Sequence, residues 1–301
     1  MSTQGETFGR ASATRIMREA CKLVGLAPND AELIRLGENA IFRVGKPPVI
    51  VRVARGPAFR ESAAKEVAVS RWLQDEGIRA AQLWPGQPEQ PLDIGGSPVT
   101  FWEFLDGRRG SPEDIVSLAG ILRDLHSRPI PRSFDLPEED ILGRVLPRIE
   151  SAPIPDADRQ FLTDLAKELR NAVAGLSFPL KPAVIHGDAH VQNLMVVDEQ
   201  PVLIDFERVA VGQPEWDLSM TATEYTAAGW WTAEQYRAFS TCYGFDVMNW
   251  SGFGVLRRVH ELKMTTWLMQ NVCEAADIKI EYDLRMSTIR RGRRQHEWRP
   301  F

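Results

Sequence analysis

The sequence predicts an α+β fold in two parts: a small N-terminal part of antiparallel strands with a helix, and a larger, mostly helical C-terminal part. Two observations carry this. Short segments rich in β-branched and aromatic residues crowd into the stretch before Leu105, and helical spacing of apolar residues dominates after it. The change of texture places a boundary at 105/106, with a hinge near Trp102–Gly107, and gives parts spanning 1–105 and 106–301.

Each element has its own signal. Ala13 to Leu26 repeats Ile16, Met17, Ala20, Leu23 and Val24 at helical spacing. Ala40–Val44 and Val49–Ala54 read as strands across the turn Gly45-Lys46-Pro47-Pro48. Arg60 to Glu76 reads as a helix with Ala64, Val67, Ala68 and Leu73 on one side. Val99–Leu105 is an aromatic-rich strand with Pro91–Ile94 as its neighbour. Beyond it, helices are expected over Pro112–His126, Glu138–Ile149, Asp156–Ala174 and in several stretches after Pro214, with short strands at Ala183–Ile185, Leu194–Val197 and Val202–Ile204.

Bulk properties narrow the function. A chain of 301 residues with 44% hydrophobic and 26% charged residues is an ordinary globular protein able to bury a substantial core. Cys21, Cys242 and Cys273 have no metal-site spacing, and their odd number argues against a disulfide framework, so a reducing compartment is expected. Met1–Arg10 is polar and lacks the apolar core of a secretory signal, and no apolar run approaches the ~18 residues of a membrane span. These features lead us to expect a soluble, cytoplasmic protein with no membrane partner. The net charge of −5 is uneven, +1 up to Leu105 and −6 beyond it. An acidic second part argues against nucleic acid as partner; it suits a cationic small molecule, or is simply a solvated surface. The arginines at 285, 290, 291, 293, 294 and 299 read as an exposed helix end.

The strongest signal is His186-Gly187-Asp188-Ala189-His190-Val191-Gln192-Asn193, followed by the apolar strand that ends in Ile204-Asp205-Phe206. Any one of these polar residues alone is most simply a turn or cap residue. Together they form H-x-D-x-x-x-x-N and a strand ending in D-F, the spacing of a protein-kinase catalytic loop and its metal-binding segment. Phosphoryl transfer asks a protein for positioning and for divalent cations that neutralise phosphates. Magnesium is a hard ion that takes few protein ligands, so a carboxylate on Asp205 and an amide oxygen on Asn193 suit it. Asp188 then stands where it accepts or orients the proton of an incoming hydroxyl.

His186 to Asp217 resembles the aminoglycoside phosphotransferase and choline kinase-like family, whose loop commonly reads H-G-D-x-H-x-x-N. The resemblance extends over roughly Leu33 to Leu218 and implies the two-lobed protein-kinase-like fold, ATP or GTP as phosphoryl donor with Mg2+, and a small-molecule hydroxyl as acceptor. Gly187, where protein kinases carry Arg, points to a small-molecule kinase. Gln213-Pro214-Glu215-Trp216-Asp217-Leu218 resembles the family segment whose Asp supports the catalytic loop, which gives that role to Asp217. His186 is expected to be structural, and His190 to serve in packing or loop support. Leu118–Pro129 resembles the first large helix of the C-terminal lobe. Glu207 replaces the Gly of protein kinases; it either reaches a second magnesium, directly or through water, or is exposed at a turn.

On the nucleotide side a kinase places a cation on the third strand and anchors it to a helix Glu. Strand alternation puts Ile50, Arg52 and Ala54 on one face, so Arg52 takes the place of the usual lysine, with Glu66 as partner. Lys46 lies in the preceding turn and Lys65 beside the anchor; neither substitutes easily. The phosphate-covering loop falls on Gly37–Val44 without the triple-glycine pattern, and Asn39 offers a side-chain donor there. Val99–Gly107 resembles the inter-lobe hinge, whose backbone groups around Glu103 and Leu105 pair with a purine edge. Phe101 and Trp102 are core.

Substrate choice is expected in the helices after Asp217, where Glu224, Tyr225, Trp230, Trp231, Trp267 and Glu274 lie. A resistance-type antibiotic or aminoglycoside phosphotransferase is the first reading. A metabolic kinase of choline, homoserine or an amino sugar is its rival, and a nucleotide-holding pseudokinase is the reading from another class. The chain is expected to work as a monomer or homodimer.

Overall fold

The computed structural model describes residues 8–37, 39–87, 89–291 and 298–300; Glu38 of the expected phosphate loop and Arg293, Arg294 and Glu297 of the arginine-rich tail lie outside them. Along the chain come α1 (Arg10–Leu23), β1 (Glu32–Leu36), β2 (Asn39–Val44), β3 (Val49–Ala54), α2 (Arg60–Asp75), β4 (Leu92–Ile94), β5 (Ser97–Glu103) and β6 (Arg108–Arg109). Then follow α3 (Ile115–Ser127), α4 (Val145–Ser151), α5 (Asp156–Ala174), β7 (Ala183–Ile185), β8 (Leu194–Val197), β9 (Gln200–Leu203) and β10 (Ala210–Gly212). The chain closes with α6 (Pro214–Thr223), α7 (Ala233–Tyr243), α8 (Phe253–Leu268) and α9 (Ala276–Arg291). Among the described residues no helix is long and apolar enough to cross a membrane.

Contacts divide the chain into two compact units. The first holds the residues up to Arg109 together with Pro131–Leu136 and Leu194–Val209; the second holds Gly110–Ile130, Pro137–Asn193 and the residues from Ala210 on.

In the first unit an antiparallel sheet runs in the order β1-β2-β3-β5-β4. Alternation sets its faces. Ala40, Phe42 and Val44 of β2 and Val49, Val51 and Val53 of β3 point into a core shared with Ala13, Ile16, Met17, Ala20 and Cys21 of α1. Burying a large apolar side chain of this kind stabilises by about 1.5–3 kcal/mol. Strand β1 was not anticipated: it is mostly exposed and breaks register between Leu33 and Arg35, so it carries no period-two signal. A second sheet, β6-β8-β9, is stitched to the loop after α2, where the Ala81 amide donates to Leu203 O and the Leu203 amide to Arg79 O.

The second unit is built round α6, all ten residues of which are buried. A helix apolar or sealed on every side belongs at a core's centre. Leu162, Leu165 and Leu169 of α5, Leu256, Val259 and Leu262 of α8, and Tyr282 and Met286 of α9 form one cluster with Trp216 and Ile185. β7 pairs antiparallel with β10, Ile185 opposite Ala210.

Two expectations need correction here. The helix foreseen over Glu138–Ile149 begins only at Val145, because the backbone before it bonds to β10: the Val211 amide donates to Pro137 O and the Glu139 amide to Val211 O. The arginine-rich tail is not simply an exposed helix end. Arg285 is buried, donates to Glu281 Oε1 at 2.7 Å and to Arg299 O at 2.6 Å, and lies over the buried ring of Trp298.

Candidate active site

In the first unit, β3 and α2 bring together the residues expected on the nucleotide side. Arg52 and Glu66 meet at 2.6 Å, with the guanidinium also 5.9 Å from the Trp102 ring centre. A small crevice is lined by Asn39, Arg52, Ala54, Glu66 and Thr100, so Asn39 stands beside the pair. Burial works against the Arg52 charge, but Glu66, Asp205 and Glu207 outweigh it and hold the guanidinium's pKa above its ordinary value. Burial pushes the Glu66 carboxyl up, and Arg52 pulls it back only in part. Glu103 and Leu105 lie at and just past the end of β5; the Glu103 amide donates to Gln82 O at 2.9 Å.

Asp205 also belongs to this unit, and its backbone is left-handed, φ 68° and ψ 76°. Residues other than Gly adopt that conformation seldom, Asp and Asn more readily than most. The following turn, Phe206–Arg208, buries the Phe206 ring against Trp102. Lys65 Nζ donates to the carbonyls of Glu207 and Val209, at 2.6 and 3.0 Å. The Glu207 carboxylate acts on Arg52 electrostatically.

The second unit carries the Asp188 loop. Gly187 turns the chain out of β7 with φ +79°, a conformation that glycine adopts without strain. Both amides before Asp188 are fixed by one carboxylate: His186 N donates to Asp217 Oδ2 at 2.7 Å and Gly187 N to Asp217 Oδ1 at 2.8 Å. The neighbouring Trp216 indole donates to Gly187 O at 3.2 Å. Both clamps come from α6, whose burial denies them any other position. His126 of α3 lies 3.1 Å from Asp217 Oδ2 through Nε2 and 2.9 Å from the Tyr243 hydroxyl of α7 through Nδ1. A carboxylate only accepts, so Nε2 donates to Asp217. His186 itself is fully buried.

Asp188 is 44% exposed at its side chain, within reach of a ligand, and His190 Nε2 lies 3.6 Å away. Burial of the group works to raise its pKa; the hydrogen bond and charge of His190, then His186 and Lys263, prevail and hold the carboxyl well below the usual range. Lys263 of α8 sits 4.4 Å over the Trp216 ring centre, opposite in kind to His260, which stacks on that ring at 3.8 Å. Asn193 donates from Nδ2 to Asp188 O at 2.8 Å, which leaves Oδ1 as the end of the amide suited to a cation. Glu224 opens a π-turn that continues α6; it is buried, accepts from the Trp231 indole at 2.8 Å, and feels the charge of Asp188. Among the described residues no three His, Cys, Asp or Glu side chains gather into a metal cage.

Thus Arg52, Glu66 and Asn39 come together in one unit, which also holds Asp205 and Glu207. Asp188, His190, Asn193, His186 and Asp217 come together in the other. Sequence reasoning passed over the tether made by Lys65 and the parts played by His126 and Lys263. Their adjacency to Glu66, to the packing helix Leu118–Pro129 and to a Trp-rich stretch gave no distinguishing spacing.

A model of the phosphotransferase enzyme family matches residues 31–257. The chain belongs to that family. The resemblance drawn from His186–Asp217 is thereby borne out, and this phosphotransferase acts on small molecules. It is similar to streptomycin 6-kinase of Streptomyces griseus, 27% identical over 221 residues, 71% of each chain. Among solved structures it resembles the amicoumacin kinase hAmiN in complex with AMP-PNP, Ca2+ and Ami, at 15% identity and TM-score 0.73, covering 94% of this chain and 95% of that one. It also resembles a choline/ethanolamine kinase family protein from Mesorhizobium loti, at 19% identity and TM-score 0.59, covering 92% and 94%. Both likenesses establish the kinase-like fold of the phosphotransferase.

Proposed function

We propose that this phosphotransferase moves the γ-phosphoryl group of a magnesium nucleoside triphosphate, ATP or GTP, to a hydroxyl of a small molecule, with an aminoglycoside or other antibiotic as first acceptor class. The observation that carries the reading is the Asp188 turn, an ionised and reachable carboxylate on a loop whose preceding amides are locked onto Asp217. Preorganisation of this kind is what an in-line transfer asks of a protein.

Asp188 orients the acceptor hydroxyl and takes its proton as the new oxygen–phosphorus bond forms and the bond to the nucleoside diphosphate breaks. Asp205 and Asn193 are the metal ligands in this reading, with Glu207 as a further candidate; their hard oxygen donors fit magnesium, which draws its other ligands from phosphates and water. When bound, that ion neutralises phosphate charge. Arg52, fixed by Glu66, directs its guanidinium at the phosphates and Asn39 adds a donor, while Glu103 and Leu105 present backbone groups to the purine. Asp217, supported by His126, keeps the loop in place, with His186 sealed behind it. The free thiols of Cys21, Cys242 and Cys273 favour a reducing, cytoplasmic setting.

The aminoglycoside reading draws on the streptomycin 6-kinase similarity. The choline/ethanolamine kinase likeness supports a metabolic acceptor as the second reading. A nucleotide-consumption screen with magnesium across aminoglycosides, nucleoside antibiotics, amino sugars and choline separates them. Turnover with the best acceptor should fall by about 10²–10⁴-fold in Asp188→Ala. Nucleotide binding with no turnover towards any acceptor would replace the reading with that of a binding module.

A further inference from the structure

We propose that Lys65 is a positioning residue for the metal-binding carboxylate of Asp205, fixing the backbone that presents it by clamping the carbonyls of Glu207 and Val209. The inference rests on the reading of Asp205 as a metal ligand.

The clamp answers a local problem. Asp205 holds a left-handed backbone, a conformation that residues with a Cβ seldom adopt. Such a residue stays put only if the chain after it is held. The turn Phe206–Arg208 is too short to hold itself: within it and its cap, the Val209 amide reaches Phe206 O at 3.2 Å. The carbonyls at its C-terminal end carry the negative end of the turn's dipoles and call for a donor or a cation. Lys65 supplies both at once, with bonds of 2.6 Å to Glu207 O and 3.0 Å to Val209 O. On the other side the Phe206 ring, 1% exposed, packs 6.0 Å from Trp102. Between a buried ring and a cationic clamp, Asp205 keeps one conformation.

The placement of Lys65 in α2 gives the clamp its significance. Successive residues of an α-helix point about 100° apart. Glu66 is therefore directed at Arg52 of β3, at 2.6 Å, while Lys65 is directed at the turn after Asp205. One helix turn fixes both the cation meant for the phosphates and the carboxylate meant for the metal. The same Arg52 feels the charges of Asp205 and Glu207, so a shift of the turn is also a change in the field at the guanidinium.

The test compares nucleotide affinity, by calorimetry, with and without magnesium in wild type, Lys65→Met, Lys65→Arg and Asp205→Ala. Lys65→Met should raise the half-saturating magnesium concentration by about tenfold and change metal-free nucleotide affinity by less than about twofold. Lys65→Arg, which keeps a cationic donor, should recover most of the difference. In an Asp205→Ala background, Lys65→Met should have no further effect on the magnesium requirement. Equal loss of metal-free and metal-supported affinity in Lys65→Met would make Lys65 a phosphate contact or a general packing residue and overturn the inference; so would no change in either. If Asp205→Ala removes the magnesium dependence and Lys65→Met leaves it intact, the inference alone fails. If Asp205→Ala leaves that dependence untouched, the metal reading of Asp205 fails and takes the inference with it. Should Lys65→Met not fold, Lys65→Leu, which likewise removes the donor from the carbonyls, is held to the same outcomes.

Discussion

Burial pushes the Glu224 carboxyl up to about 7; His190 and the Trp231 indole oppose the rise, and the nearby Asp188 charge adds to it. From its ordinary 4.5 to about 7, the native state holds a proton there that the unfolded chain has released. The stability this contributes is complete below 4.5 and is lost as pH rises through about 7. Glu224→Gln keeps an acceptor for Trp231 and cannot ionise. It should leave stability near that of the wild type at acid pH and raise it relative to the wild type above pH 7, with ~3 kcal/mol as the upper limit. Urea melts at pH 5 and pH 8 check this; a wild-type-to-variant gap that is the same at both would show Glu224 ionised throughout. The residue scale also shows what a sequence discloses. Asp188 and Asn193 are five positions apart and cooperate through the Asn193 bond to Asp188 O, so their spacing is their structure. Lys65 meets its partner carbonyl 142 positions away, and nothing near it in the chain announces that.

At the scale of elements, α6 does the most for the loop it does not contain. Its ten buried residues fix Trp216 and Asp217, and Asp217 in turn accepts from two amides and faces His126. Asp217→Asn would turn an NH2 group towards one of those amide donors, leaving it unpaired in a buried place. The expected cost is about 2–4 kcal/mol in stability, read by denaturant unfolding, with a fall in turnover larger than any change in nucleotide affinity. An Asn variant as stable and as active as the wild type would mean that the carboxylate does not order the loop. Helix α5, with its wide apolar face, was legible to the residue because periodicity is a local property. The stretch before α4 was not, since Glu139 and Pro137 bond to Val211 of a strand far along the chain, and that pairing overrides the helical pattern.

For the whole molecule, the membership of the first unit matters most. It needs Leu194–Val209 as well as its N-terminal residues, because β9 is bonded to Arg79 and Ala81, Phe206 covers Trp102, and Lys65 reaches the turn that follows. A fragment of residues 1–109 should therefore lack a cooperative unfolding transition by circular dichroism, whereas the full chain shows one. A fragment that melts cooperatively by itself would show that the returning segment is dispensable. The α+β texture could be read from the order of patterns alone, but this closing of the sheet unit by a later hairpin could not.

That hairpin also sets a timetable. As the chain leaves the ribosome, the first unit stays incomplete until residue 209 has emerged, after helices α3, α4 and α5 have already appeared. The lysine clamp is thus among the late events of assembly, and a newborn molecule acquires its aligned Asp205 only once two distant stretches of polypeptide have found each other.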